Sequence, residues 1–133
     1  MRPLRRSLAA LALFAGVLVA CETVPITGRT QLNLISEPDE VKMGAQAYRE
    51  VVGKAKVSGD GVANAQVTRV AQRIITVSDK PNLPWEVTVI EENQANAFAL
   101  PGGKIAVYTG MLPITRDDAG LAAVIGHEVG HVL

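Results

Sequence analysis

The sequence predicts an α+β domain running helix, helix, strand, hairpin, helix, and three observations support it. Apolar residues recur at helical spacing over residues 36–53 and again over 62–78. Residues 85–91 alternate apolar with polar side chains, and residues 93–110 hold two further short strands around Pro101-Gly102-Gly103. The end of the chain, LAAVIGHEVGHVL over 121–133, is apolar nearly all round except for His127, Glu128 and His131, as expected of a buried helix.

With 133 residues, the chain is long enough for one domain at most. Its 13 basic residues balance 13 acidic ones, but Arg2, Arg5 and Arg6 all lie in an acid-free first stretch, 1–20. No basic cluster follows, so no nucleic-acid surface is expected. The basic residues at 2–6 precede the apolar run LAALALFAGVLVA at 8–20, the layout of an export signal. That run is shorter than the ~20 residues a membrane-spanning helix needs. It ends in Leu18-Val19-Ala20-Cys21, with the chain's single cysteine last. This arrangement resembles a bacterial lipobox, which implies cleavage before Cys21, acylation of its thiol and attachment to a membrane. Glu22, where an aspartate would mark inner-membrane retention, points to the outer membrane.

Residues 21–35 read as a tether, with turn signals at Pro25 and Gly28. Ser36 is placed to cap the first helix, with Pro38 in its first turn and Glu37, Asp39 and Glu40 at its positive end. Its apolar face is predicted to be Val41, Ala45, Tyr48 and Val52. After the break VSGDG (57–61), the second helix turns inward Val62, Val67, Val70, Ile74 and Val77, with Gln66, Arg69 and Arg73 on a solvated side. Trp85, Val87 and Val89 are expected to point inward from the strand. Thr115 is expected to cap the final helix, with Asp117 and Asp118 in its first turn. Gly126 and Gly130 are costly in a helix and sit four apart, a spacing that would clear one face for a close neighbour.

On that helix His127 and His131 fall about one turn apart and ~40° around the axis, so both imidazoles can reach one cation. Glu128 follows the first histidine, completing H-E-x-x-H: two metal ligands and a general base for metal-assisted hydrolysis. Beside it, Lys104, Ile105, Ala106, Val107 and Tyr108 form the candidate edge strand, able to hold a polypeptide substrate by main-chain pairing.

NAFALPGGKIAVYTGML (96–112) followed by AAVIGHEVGHVL (122–133) resembles the zinc peptidases of the HtpX, BepA and CAAX prenyl endopeptidase type, family forty-eight of the metallopeptidases. TVPITGRTQLNLIS and SEPDEVKMGAQAYREV extend the likeness to its lipoprotein branch. The resemblance implies a zincin-like fold of the gluzincin type, one Zn²⁺ per chain, and an endopeptidase acting on misfolded or unassembled proteins. It also implies a lipid-anchored, periplasm-facing position in the bacterial envelope, beside its assembly machinery.

A catalytic zinc normally has three protein ligands, and this chain has two histidines. In the resembling family the third ligand is a glutamate on a later helix, expected downstream of residue 133. Asp117 and Asp118 precede His127 by about 14–15 Å of helix, too far to substitute, while Glu91 and Glu92 stay open. The chain therefore reads as residues 1–20 a signal, 21–35 a tether, and 36–133 the N-terminal part of a peptidase domain. The alternative is a membrane-tethered, chaperone-like lipoprotein that binds polypeptides without cutting them.

Overall fold

The computed structural model of the chain describes residues 21–23, 30–32 and 35–133. The expected export signal at 1–20 and the turn at Pro25 and Gly28 lie outside the described residues. The chain divides into two units, Met1–Ser36 and Glu37–Leu133. In the first, β1 (Cys21–Thr23) pairs antiparallel with β2 (Thr30–Leu32), Cys21 opposite Leu32. Cys21 thus opens a short ladder, and its side chain is not among the described ones.

The second unit has three layers. Helix α1 (Glu37–Lys54) lies on one face of a three-stranded sheet, and helices α2 (Gly61–Thr76) and α4 (Asp118–Gly130) lie on the other. The strands are β3 (Glu86–Ile90), β4 (Ala97–Leu100) and β5 (Lys104–Tyr108). A 3-10 turn (Thr109–Met111) and the one-turn helix α3 (Leu112–Thr115) lead from β5 to α4. This is the expected α+β layout, including the hairpin and the final helix.

Helix α1 begins with Glu37, Asp39 and Glu40 at its positive end and closes on Lys54. It buries Gly44 and Tyr48 against the sheet. A Cβ at Gly44 would fall on the Pro101 carbonyl oxygen, so glycine there allows α1 to rest directly on the hairpin turn. Tyr48 is 2% exposed, and its hydroxyl donates to Thr88 Oγ1 at 2.7 Å, with the Ile105 carbonyl oxygen at 3.3 Å. Burial pushes this phenol above its ordinary value, partly offset by the Thr88 hydrogen bond.

Helix α2 is capped by Asp60, whose carboxylate accepts from the Val62 and Ala63 backbone N–H groups at 2.9 and 3.2 Å. Its buried stripe is Ala63, Val67, Val70 and Ala71. Two expected core residues are corrected here, because Val62 is 81% and Val77 84% exposed. Val62 stands five residues before Val67, about 140° round the helix and off its stripe. Val77 lies past the last helical residue, as the C-cap.

The sheet order is β3-β5-β4, with β3 parallel and β4 antiparallel to β5. The expectation that Lys104–Tyr108 forms an edge is thereby corrected: β5 is the central strand, hydrogen-bonded on both sides. Its Ile105, Ala106 and Val107 are fully buried, too apolar for an edge beside water. The outer side of β3 is covered by the chain before α2: Ser58 N–H donates to Val89 O at 2.8 Å, and Glu91 N–H to Lys56 O at 2.7 Å. Among the described residues the open edge is β4.

Val67, Val70, Val89, Ile105, Val107, Leu121, Ile125 and Val129 form the core between the sheet and helices α2 and α4. Tyr48, Ile90, Ala106 and Tyr108 form the core under α1. The sheet is therefore apolar on both faces, as the parallel β3/β5 pair requires.

Candidate metal centre

Helix α4 is capped two residues later than Thr115. Asp117 is the cap, its carboxylate accepting from Gly120 N–H at 2.9 Å, whereas the Thr115 hydroxyl donates back to Leu112 O within α3. Arg116, with φ at 66°, separates the two helices. Asp118 in the first turn of α4 accepts from Arg69 and Gln66 of α2, so two residues expected on a solvated face instead link the helices. The Arg69 guanidinium, with Gln66 assisting, holds the Asp118 carboxyl below the usual carboxylate range.

Leu121, Ile125 and Val129 lock one face of α4 into the core. The helix is not buried all round: His127, Gly130 and His131 are exposed, and Glu128 is half-buried on the flank. The physical reason is angular, since residues 127 and 131 each lie ~200° from the 125/129 stripe. His131 is just past the last helical residue, yet its N–H still bonds the Glu128 carbonyl at 3.1 Å and the Val132 N–H bonds that of Val129 at 3.0 Å, so the turn is kept. Gly126 and Gly130 clear no neighbour. A Cβ at Gly126 would meet only Ile74 Cδ1, at 3.9 Å, and one at Gly130 would meet nothing within 4 Å.

The two rings converge. His127 Nε2 and His131 Nε2 are 3.1 Å apart, with ring centroids at 4.6 Å and planes nearly perpendicular at 86°. Two nitrogens each ~2.05 Å from a tetrahedral zinc stand about 3.3 Å apart, so the observed pair already has the required bite. Ring nitrogens on an exposed helix face, with a carboxylate next in sequence, are a donor set that fits a divalent cation. Among the described residues no group of three or more His, Cys, Asp or Glu side chains is gathered to hold a metal.

The residues expected to hold substrate have other work. Lys104 Nζ pairs with Glu86 at 3.0 Å and the Pro84 carbonyl at 3.2 Å, and Tyr108 packs against Phe98. The available main-chain groups belong to β4, against which α4 packs. Tyr108 N–H donates to Asn96 O, so Phe98 and Leu100 also face β5 with their hydrogen bonds. Ala97 and Ala99 therefore direct N–H and C=O outward, away from the sheet. Sequence reasoning missed these two. The signal was available only as the short side chains of Ala97 and Ala99 before the turn.

The family model "Peptidase family M48" matches residues 62–133. The chain is 42% identical over 113 residues to a mitochondrial metalloendopeptidase OMA1 of Schizosaccharomyces pombe, covering 83% of this chain and 34% of that protein. To a mitochondrial metalloendopeptidase OMA1 of Danio rerio it is 34% identical over 116 residues, 82% of this chain and 24% of that one. To the beta-barrel assembly-enhancing protease of Escherichia coli it is 24% identical over 113 residues, 85% of this chain and 23% of that one. The chain thus spans about a third or less of the length of these relatives.

These likenesses correct the expected location. The relatives of higher identity carry mitochondrial names, while the bacterial assembly protease is the more distant, so the lipid-anchored outer-membrane placement is withdrawn. The physical reason for the misreading is that basic residues before an apolar, acid-free stretch do not separate an export signal from other targeting segments.

Proposed function

Because this chain belongs to peptidase family M48, we propose that it supplies the metal-binding helix and the substrate-holding strand of a zinc-dependent endopeptidase acting on unfolded or unassembled polypeptides. The observation that carries this reading is the 3.1 Å approach of His127 Nε2 and His131 Nε2 on the exposed face of α4. Zinc, when bound there, supplies Lewis acidity that makes water acidic near neutral pH and polarises the scissile carbonyl.

The remaining work falls to the chain's own residues. His127 and His131 aim both ring nitrogens at one point, held by the burial of Ile125 and Val129 on the opposite face. The Glu128 carboxylate accepts the proton of the attacking water and returns it to the departing amine. Ala97 and Ala99 take the substrate as an added strand along β4, fixing its backbone beside α4.

The test is Glu128→Gln. Zinc content stays at that of the unsubstituted protein while cleavage of unfolded casein falls at least ~100-fold, the order expected for loss of a general base. Undiminished cleavage by this variant would remove Glu128 from the chemistry.

A further inference from the structure

An added strand on β4 meets two unlike surfaces. On the α4 side β4 presents Ala97 and Ala99, opposite Val107 and Ile105. On the α1 side it presents Phe98 and Leu100, both half-buried and packed against the Tyr48, Ile90, Ala106 and Tyr108 core. The Phe98 ring is set against Tyr108, with centroids 6.3 Å apart and planes at 57°.

The register decides how closely a substrate approaches each surface. Ala97 and Ala99 carry the outward hydrogen-bonding groups, so in an antiparallel addition the substrate residues opposite Phe98 and Leu100 occupy non-hydrogen-bonded pairs. In such pairs the Cα atoms come to about 4.5 Å and side chains touch most closely. A substrate side chain opposite Phe98 therefore lies against an aromatic ring, and the next residue but one lies against Leu100. The intervening residues face the small alanines and α4.

We propose that Phe98 and Leu100 form an apolar wall on the α1 side of the β4 edge, selecting extended polypeptides with large apolar residues at alternate positions. The inference rests on the strand-pairing part of the function proposed above and adds the class of sequence that is held. Such segments are half-buried strands in folded proteins and are exposed only before folding or assembly. An apolar wall reads that state directly, with no motif to recognise.

The test measures binding apart from cleavage. The full chain carrying Glu128→Gln is titrated into a fluorescein-labelled ten-residue peptide with Leu at alternate positions and Ser between, followed by anisotropy. A second peptide has Ala in place of each Leu. The Leu peptide should bind about tenfold more tightly, and Phe98→Ala should remove most of that difference while Phe98→Leu keeps it. Circular dichroism establishes that each variant is folded, and Leu100→Ala gives an independent arm should Phe98→Ala fail to fold. Equal affinity for the two peptides, or a preference unchanged by the folded wall variants, overturns the inference. The endopeptidase reading fails separately, if the unsubstituted protein binds the Leu peptide selectively but takes up no zinc in a chelator-competition assay.

Discussion

Arg69 Nη2 lies 3.0 Å from Oδ1 and 2.9 Å from Oδ2 of Asp118, so one guanidinium nitrogen spans the carboxylate that opens α4. Gln66 adds a bond to Oδ1 at 3.1 Å. Helix α4 is thus tied to α2 at the end far from its histidines, while Leu121, Ile125 and Val129 fix its rotation. Both side chains are about half exposed, so the link orients more than it stabilises.

The link has a pH signature of known sign. Arg69 foremost, then Gln66, depresses the Asp118 pKa below its ordinary 3.8. A carboxyl depressed in the folded state stabilises the fold above its unfolded value, and that contribution is lost as pH falls through the folded value. Asp118→Asn should lower the urea midpoint slightly at pH 6, and the difference from the unsubstituted protein should close below pH 3.8. Arg69→Ala should move the Asp118 carboxyl titration, followed by NMR, back up towards that ordinary value. A titration unmoved by Arg69→Ala would show that the guanidinium is not its cause.

Removing either imidazole should separate metal binding from stability. His127→Ala and His131→Ala each take one of two converging donors, and zinc affinity measured by chelator competition should drop more than about tenfold. Because both rings are exposed, metal-free unfolding free energies from urea titration should change by no more than about 0.5 kcal/mol. Zinc at about a hundred times its dissociation constant should stabilise the unsubstituted protein by ~2.7 kcal/mol and neither variant by as much.

Two glycines on α1 make opposite predictions. Gly44→Ala drives a methyl into the Pro101 carbonyl, a backbone atom that cannot swing aside, and should cost about 1–3 kcal/mol. Gly53, on the same helix, has open space around its missing Cβ. Gly53→Ala should be neutral or stabilise by up to ~1 kcal/mol through helix propensity. Denaturant titration of both settles whether α1 rests on the hairpin as described.

Tyr48→Phe should cost about 1 kcal/mol, because it removes the donor that satisfies Thr88 Oγ1 under α1. The same phenol predicts behaviour in alkali. Its raised pKa means the contribution is present below pH 10 and is lost as pH rises through the folded value. Tyrosinate absorbance should therefore show one phenol titrating late, and Tyr48→Phe should abolish that late component.

What the amino-acid order determined by itself was local. Capping acids, apolar spacing and turn glycines marked helices α1, α2 and α4 of the second unit and its hairpin to within a few residues, because each depends on neighbours within a turn; the single turn of α3 was not marked. The histidine pair was legible for the same reason: a four-residue spacing on a helix leaves two rings little choice but to meet. The tertiary structure decided which strand is central, which helix faces are covered, and where Arg69 and Gln66 go. Those outcomes depend on hydrogen bonds and contacts between residues far apart in the chain, such as Val87 with Ile105 or Arg69 with Asp118. Lys104–Tyr108 resembles an edge strand when only the hairpin is considered. Once β3 pairs along its other side it becomes the core of the sheet, and the open backbone passes to Ala97 and Ala99.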